Sequence, residues 1–290
     1  MSYTAIDVGG TFIKYADLDR NGVILNSGII NTPYQTKEAF IDTLCQLVAP
    51  SCQGVCLSLP GFIDADNGIC VAPGPLSYLP SGYPIKQELE ALLGYPVTIE
   101  NDARCAALAE MWKGSIQGKR NALVLVLGTG MGAACILEGK LYKGSHNIAG
   151  EVGYALLHPN KTDIMDVWGM NYSIGGLCRR FCKQMQLDTI DGKGIMSLCE
   201  SHDPEAETFL NQYVEDLACA VFDFQTLLDV ECVAIGGGIS QNQHFMNLLE
   251  LALNKLYKRV KFPLHKPLLV PCRFHNEANL IGAFYRHVYL

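Results

Sequence analysis

A short stretch near the N-terminus combines a carboxylate, two glycines and a hydroxyl within five residues, Asp7-Val-Gly-Gly-Thr11. An apolar run precedes it and an alternating run follows it, which predicts a strand, a tight turn and a second strand. Adjacent glycines let a phosphate reach the backbone N–H groups, and Asp7 can face a hydrated magnesium ion. The set favours a nucleoside triphosphate site, although a plain Gly-Gly hairpin has the same pattern.

Two later glycine-rich stretches strengthen the first interpretation. Leu127-Gly-Thr-Gly-Met-Gly132 again lies between two apolar runs, and Gly128 follows Gly9 by 119 positions (128 − 9). Two copies of one unit indicate a duplicated fold that binds its ligand between the halves, and two unrelated hairpins are the alternative. Gly236-Gly-Gly238 lets a flat ring approach the backbone, and the helix predicted after it can assist a phosphate.

A carboxylate suited to proton transfer follows a predicted buried strand at 96–99. The sequence there is Glu100-Asn101-Asp102, at the carboxyl end of the strand, where open α/β sheets collect their ligands. Asp102 could take a proton from a substrate hydroxyl. Capping of the following helix is the structural alternative, and the two roles are compatible.

The elements that must position these residues alternate between strands and helices. A three-stranded antiparallel meander is predicted for residues 3–30, with Asn21-Gly22 as a hairpin turn, and residues 62–84 are rich in loop signals. Further strands are predicted near 54–59, 122–137, 232–235 and 268–271. Helices are predicted near 36–48, 85–93, 103–111, 174–185, 194–200, 205–228, 243–258 and 276–289. This order predicts an α/β protein of two units, with the link between them near residues 114–121.

Composition narrows the classes of partner. The 290 residues carry a net charge of −7 and no extended block of Lys or Arg, so a nucleic-acid partner is not expected. No run approaches the ~20 apolar residues of a membrane helix, and the N-terminus lacks signal-peptide features, so we expect no membrane partner and a cytoplasmic location.

The cysteine pattern indicates reduced thiols. The chain has 12 cysteines but no Cys-x-x-Cys. Several of them occupy apolar, patterned positions, namely Cys56, Cys135, Cys219 and Cys232. Buried thiols without disulfides are therefore expected.

In order and spacing, the motifs at Asp7–Thr11, Glu100–Ala103, Leu127–Gly132 and Gly236–Gly238 resemble those of the ROK family. That family comprises repressors and sugar kinases. The resemblance implies an actin-like ATPase fold of two lobes, each with a ribonuclease-H-like sheet. The smaller N-terminal lobe would comprise residues 1–115, with the helix at 276–290 packing back on it, and the larger lobe would comprise residues 116–275. ATP would bind in the cleft between the lobes and the sugar beside the smaller one, and a homodimer is expected because dimers are usual in the family.

The resemblance also implies roles for individual residues. Asp102 resembles the catalytic base, and Asp7 resembles the acid that holds Mg²⁺ through water. The residues implied at the sugar are Gly61, Asn101, Asp102, Glu151 and Tyr154. Those implied at ATP are Asp7, Gly9, Gly10, Thr11, Lys14, Gly128, Thr129, Gly130, Gly237 and Gly238.

Two departures from the family pattern bear on the substrate. The usual His of the Gly-Glu-x-Gly-His motif is Tyr154, and the Cys-rich zinc element is absent, with no cysteine between His158 and Cys178. We therefore predict no zinc site. Loss of the contacts near the anomeric carbon should relax recognition of a free C1 hydroxyl. Trp168 and Tyr172 either form a platform for a second sugar ring or fill the volume of the missing zinc.

With these departures, the sequence resembles the zinc-less branch of the family, the β-glucoside kinases. The expected reaction is ATP-dependent phosphorylation of the 6-hydroxyl of a glucosyl unit in β-glucosides such as cellobiose. The alternatives are a glucokinase, an N-acetylmannosamine or other hexose kinase, and, more remotely, a non-catalytic sugar-binding sensor. A repressor is not expected because the first strand begins at residue 3, which leaves no room for a preceding DNA-binding motif.

Overall fold

The computed structural model describes residues 2–156, 167–260 and 263–290, and the chain divides into two compact units. The first unit comprises residues up to Gln117, Lys143–Ala149 and Asn276–Leu290, and the second comprises Gly118–Tyr142 and Gly150–His275. The sequence did not predict that Lys143–Ala149 belongs to the first unit, because this segment follows the lobe boundary expected near residue 115.

The described elements alternate as expected for an α/β protein. The strands are β1 Ser2–Val8, β2 Phe12–Leu18, β3 Ile24–Asn31, β4 Cys52–Leu59, β5 Phe62–Asp64, β6 Ile69–Ala72, β7 Val97–Asn101, β8 Ala122–Leu127, β9 Met131–Leu137, β10 Lys140–Tyr142, β11 Cys232–Gly236 and β12 Leu268–Pro271. The helices are α1 Lys37–Leu47, α2 Ile85–Leu93, α3 Asp102–Lys113, α4 Trp168–Tyr172, α5 Ile174–Met185, α6 Gly192–Glu200, α7 Pro204–Leu228, α8 Gln243–Arg259 and α9 Ala278–Tyr289.

The first unit is built on a five-stranded sheet in the order β3-β2-β1-β4-β7. The first three strands form the predicted antiparallel meander, and β4 and β7 continue the sheet in parallel with β1. The register pairs Asp7 of β1 with Ser58 of β4, and Ser58 with Glu100 of β7. Three polar residues thus form one row near the carboxyl ends of three buried strands.

Helices α3 and α9 pack closely because both carry small residues at their contact. The buried face of α3 is rich in alanine, and a Cβ at Gly282 of α9 would lie only 1.7 Å from the carbonyl oxygen of Cys105. The C-terminal helix therefore packs on the helix that begins at Asp102. The cap of α3 differs from the expectation, since Asn101 rather than Asp102 caps it and accepts from the N–H of Arg104 at 3.2 Å.

The loop-rich stretch 62–84 contains more structure than its composition indicated. Strands β5 and β6 pair there as a short antiparallel hairpin. The strands have only three and four residues, too few to show a clear alternation among the turn residues around them.

The sheet of the second unit repeats the arrangement of the first. Its order is β10-β9-β8-β11-β12, with three antiparallel strands followed by two parallel ones. The predicted internal duplication is confirmed at the level of topology. The short helix α4 was not predicted, and a 3-10 turn, Gly238–Gln241, intervenes between the triple glycine and α8.

All 12 cysteines are free thiols, and most are buried. Cys219 is an exception, because it lies on the solvent side of α7 and is exposed; its predicted burial was wrong. None of the helices in the described part of the chain combines the length and apolar character needed to cross a bilayer.

Candidate functional site

Asp7 is the next-to-last residue of β1 and is buried, with 6% of the residue exposed. Its Oδ1 accepts hydrogen bonds from Ser58 Oγ at 2.8 Å and from Asn279 Nδ2 at 2.9 Å. The Nζ of Lys14 lies 3.8 Å from Oδ2. Burial raises the pKa of Asp7, and the Asn279 bond is the largest of the influences that oppose the rise. Two of these partners, Ser58 and Asn279, were not identified from the sequence.

The turn after Asp7 is tight and presents Thr11 to solvent. The N–H of Gly9 donates to the carbonyl of Phe12 at 2.9 Å, and the Gly9 carbonyl accepts from Thr32 Oγ1 at 2.7 Å. The Gly9 amide is therefore used within the turn. Contact of Gly9, Gly10 and Thr11 with a phosphate stays a prediction.

Asp102 is the first residue of α3 and is partly buried. Its Oδ1 accepts from the N–H of Ala103 at 2.8 Å. Burial raises the pKa of Asp102 to about 6, and the Asp7 carboxylate in the same unit adds to the rise. The group is thus mostly ionised at neutral pH and more basic than an ordinary aspartate, as a general base requires.

Asn101 ties the start of α3 to the turn that contains Gly61. Its Oδ1 caps the helix, and its Nδ2 donates to the carbonyl of Gly61 at 3.0 Å. Gly61 has a φ of +87°, and a Cβ there would lie 2.2 Å from the carbonyl oxygen of Ala72. Only glycine fits this turn. Asn101 and Gly61 therefore fix the backbone next to Asp102. Their direct contact with a sugar stays a prediction.

The second unit contains a cavity of about 680 Å³ beside the second and third glycine stretches, a size within the range of small-molecule sites. Gly128, Thr129 and Gly238 line it. The carbonyl of Gly128 accepts from the N–H groups of Ile174 and Gly175 at 2.9 and 3.2 Å, which anchors the start of α5 beside the turn. The remaining lining residues are Leu127, Ile174, Gly175, Cys178, Ile190, Asp191, Gly192, Lys193, Met196, Ser197, Glu200, Ile239 and Asn242.

The glycines around this cavity differ in what they tolerate. Gly237 has a φ of +89°, and a Cβ there would lie 2.0 Å from the carbonyl oxygen of Leu127. A Cβ at Gly130 or Gly238 would meet nothing within 4 Å. Gly237 therefore shapes the turn, whereas Gly238 leaves space in the cavity.

The polar wall that α6 contributes to this cavity was missed from the sequence. It includes Asp191, Lys193 and Glu200. The available signal was Asp191, whose side chain caps α6 by accepting from the N–H of Gly194 at 2.8 Å.

We expect Gly238→Val to weaken nucleotide binding at least about tenfold, because the new side chain would occupy cavity volume that a ligand needs. The fold should tolerate the change, since a Cβ at this position has open space. Calorimetric titration with ATP measures the effect, and an unchanged melting temperature serves as the control. Undiminished ATP affinity would show that the nucleotide binds elsewhere.

Glu151 and Tyr154 belong to the second unit, whereas Gly61, Asn101 and Asp102 belong to the first. Glu151 precedes a 3-10 turn, Val152–Tyr154, and Tyr154 is 55% exposed. Partial burial, together with the nearby Glu151 carboxylate, raises the pKa of Tyr154. The two side chains therefore lie near each other, and their role at the sugar stays a prediction.

The aromatic residues of the segment that replaces the zinc element pack inward. The rings of Trp168 and Tyr172 lie 4.5 Å apart, and only 9% of Tyr172 is exposed. The Tyr172 hydroxyl donates to Asp216 Oδ2 at 3.0 Å. This packing favours the volume-filling alternative over a sugar platform.

Residues 157–166 of the same segment, including His158, lie outside the described residues. Within the described ranges, no three His, Cys, Asp or Glu side chains are grouped so that they could hold a metal ion. The absence of zinc from the protein remains a prediction.

Comparisons with known proteins match nearly the whole chain to one family. A model of the ROK family matches residues 3–287. The chain is 29% identical to the beta-glucoside kinase of Klebsiella pneumoniae, over 98% of this chain and 95% of that protein. It is 30% identical to the N-acetyl-D-glucosamine kinase of Vibrio atlanticus, over 99% of both proteins.

A solved structure resembles the whole chain as well. The crystal structure of a ROK family protein from Streptococcus pneumoniae in complex with sucrose matches with a TM-score of 0.90 and 28% identity, over 99% of this chain and 97% of that one. The motifs, the duplicated sheet topology and these matches together establish that the chain belongs to the ROK family and has its actin-like, two-lobed ATPase fold.

Proposed function

We propose that this protein is an ATP-dependent carbohydrate kinase in which Asp102 is the general base. The observation that carries the proposal is the partly buried Asp102 carboxylate at the start of α3, whose pKa is raised to about 6. Its proton affinity is matched to neutral pH, which is the condition for efficient proton transfer from a hydroxyl. The names of the two enzyme relatives support a sugar as the acceptor.

The reaction transfers the terminal phosphoryl group of ATP to a sugar hydroxyl. The sugar oxygen forms a bond to the γ-phosphorus, the bond between that phosphorus and the leaving oxygen of ADP breaks, and Asp102 accepts the hydroxyl proton. Such transfers depend mainly on positioning and on neutralisation of charge. The residues proposed to hold the nucleotide, besides Asp7 and Lys14, are Gly9, Gly10, Thr11, Gly128, Thr129, Gly130, Gly237 and Gly238.

The surroundings of Asp7 fit a magnesium ion held through water. Asp7 is a hard oxygen donor, its Oδ1 already accepts two hydrogen bonds, and its Oδ2 is 3.8 Å from Lys14. Burial of the carboxylate favours a nearby cation. When bound, the ion neutralises phosphate charge, and Asp7 and Lys14 would orient its water shell and the phosphates.

The finer proposal is that the acceptor is the 6-hydroxyl of a glucosyl unit in a β-glucoside such as cellobiose. Its support is Tyr154 in place of the usual His, together with the beta-glucoside kinase relative. A hexose or N-acylhexosamine kinase is the second candidate, and the N-acetyl-D-glucosamine kinase relative at 30% identity favours it. Glu151 and Tyr154 are the proposed sugar contacts that would distinguish these substrates.

A panel of acceptors tests the substrate. We expect kcat/KM for cellobiose to be at least as high as that for glucose, because a missing contact to the C1 hydroxyl cannot penalise a substituent there. ADP release is measured with cellobiose, glucose, fructose, N-acetylmannosamine and N-acetylglucosamine, and phosphorus NMR of the product locates the ester. Faster turnover of a free monosaccharide would reject the glycoside proposal and leave the kinase proposal intact.

We also propose that the protein acts in the cytoplasm as a homodimer. The support for both is the family to which the chain belongs. Light scattering of the purified protein at micromolar concentration tests the dimer, and a monomeric mass would reject it.

A further inference from the structure

Two side chains that lie far apart in the sequence hold the same oxygen of Asp7. Ser58 comes from β4 and Asn279 from α9, and both donate to Oδ1, at 2.8 and 2.9 Å. We propose that Ser58 and Asn279 are positioning residues that orient the Asp7 carboxylate so that its Oδ2 faces the hydrated metal ion of the nucleotide. This inference rests on the proposed kinase function, and it names residues that the glycine motif does not contain.

Ser58 and Asn279 together restrict the rotation of the Asp7 carboxylate. A carboxylate can exchange its oxygens by turning about the Cβ–Cγ bond, and two donors on one oxygen select a single orientation. Hydrogen bonds to a charged acceptor are among the stronger ones in proteins. The amide of Asn279 must present Nδ2 here, because the reverse placement would bring two oxygens together.

Both donors stand on rigid supports. Ser58 is fully buried on the strand paired with that of Asp7. Asn279 lies in the first turn of α9, which packs on α3 through Gly282. Arg286 at the far end of α9 adds an ion pair, since its Nε lies 3.3 Å from Glu100 Oε2. The C-terminal helix is therefore held at both ends against the strands that carry Asp7 and precede Asp102.

The other oxygen keeps capacity to accept hydrogen bonds. Lys14 Nζ lies 3.8 Å from Oδ2, which is longer than a hydrogen bond, and the same Nζ donates to the carbonyl of Asn276 at 3.4 Å. Oδ2 can thus accept from a metal-bound water without displacing Lys14 from the Asn276 carbonyl.

The test compares Asn279→Ala with Asn67→Ala. Asn67 makes the same kind of bond, from its Nδ2 to Asp64 Oδ2 at 2.8 Å, in the same unit. For each protein, the Kd for ATP is measured with excess EDTA and with Mg²⁺. The Kd in EDTA divided by the Kd in Mg²⁺ reports how strongly the metal assists binding. We expect Asn279→Ala to reduce this ratio about tenfold with little change in EDTA, and Asn67→Ala to leave it unchanged.

Ser58→Ala removes the second donor with little change in volume, and we expect a reduction of the ratio of similar size. Equal weakening in EDTA and in Mg²⁺, or an unchanged ratio in both variants, would overturn the positioning role while the kinase proposal stands. A wild-type protein that binds no ATP would overturn the proposed function and this inference with it.

Discussion

Replacing Asp102 by Asn is expected to reduce sugar phosphorylation by about 10²–10⁴-fold in kcat, because the amide cannot accept the hydroxyl proton. The substitution preserves shape, and its oxygen can still accept from the N–H of Ala103, which lies 2.8 Å from Oδ1 in the native protein. Coupled measurement of ADP release quantifies the loss. ATP affinity should persist, which calorimetric titration can establish.

The matched control is Asp64→Asn, which changes the same functional group in the hairpin of β5 and β6. This variant should retain wild-type turnover. If Asp102→Asn keeps more than about a tenth of the wild-type kcat, Asp102 is not the base.

The pH dependence of the wild-type protein follows from the same group. Because the base must be ionised, kcat/KM should fall as the pH drops through about 6, the pKa of Asp102. The effect of pH on stability runs the other way. The pKa of Asp102 in the folded protein, about 6, lies above the ordinary aspartate value of about 3.9, so the fold disfavours the ionised carboxylate. The stability that the protonated form contributes at pH below 4 is lost as the pH rises through 6.

Asp102→Asn should therefore stabilise the protein at pH 7.5, by up to about 3 kcal/mol, and have little effect near pH 4. Melting temperatures of the variant and the wild type at both pH values measure this difference. A variant that is less stable at pH 7.5 would contradict the raised pKa.

Replacing Arg104 by Met is expected to destabilise the protein by about 3–5 kcal/mol, because it leaves a buried carboxylate with less compensation. Arg104 is 1% exposed and Glu100 is fully buried, and Arg104 Nη1 lies 3.7 Å from Glu100 Oε1. The guanidinium also donates from Nη2 to the carbonyl of Asn147 at 2.6 Å. Urea denaturation, followed by fluorescence, measures the free energy of unfolding.

Arg120→Met is the matched control. Arg120 forms an ion pair with Glu138 in which both side chains are about 70% exposed (72% and 68%), and such surface pairs contribute about 0–1 kcal/mol. The double variant Glu100→Gln/Arg104→Met should recover part of the loss, since the buried charge is removed. A small effect of Arg104→Met alone would indicate that Arg286, at 3.3 Å from Glu100, suffices for compensation.

The sequence predicted those parts of the site that depend on neighbouring residues. Strands and helices follow from local periodicity, and the helix 174–185 was predicted with the bounds that the structure has. The glycine turns were recognisable because a positive φ or a close backbone approach, as at Gly61 and Gly237, excludes other residues. Elements shorter than two turns or four residues, such as α4 and β5, lack enough periods to be recognised.

Taken alone, the sequence determined the α/β class, the duplicated order of strands, the position of Asp7 at a strand end and the placement of Asp102 at the start of a helix. Tertiary structure decided which side chains control these two carboxylates. Asn279 reaches Asp7 across 272 positions and Ser58 reaches it across 51, and the Asp7 carboxylate in turn adds to the effect of burial in raising the pKa of Asp102. No local pattern encodes such pairs, because they arise only when β4 and α9 come together with β1 within the first unit. The physical reason is that secondary structure depends on neighbours along the chain, whereas the orientation and pKa of a buried carboxylate depend on whatever the fold brings within a few ångströms.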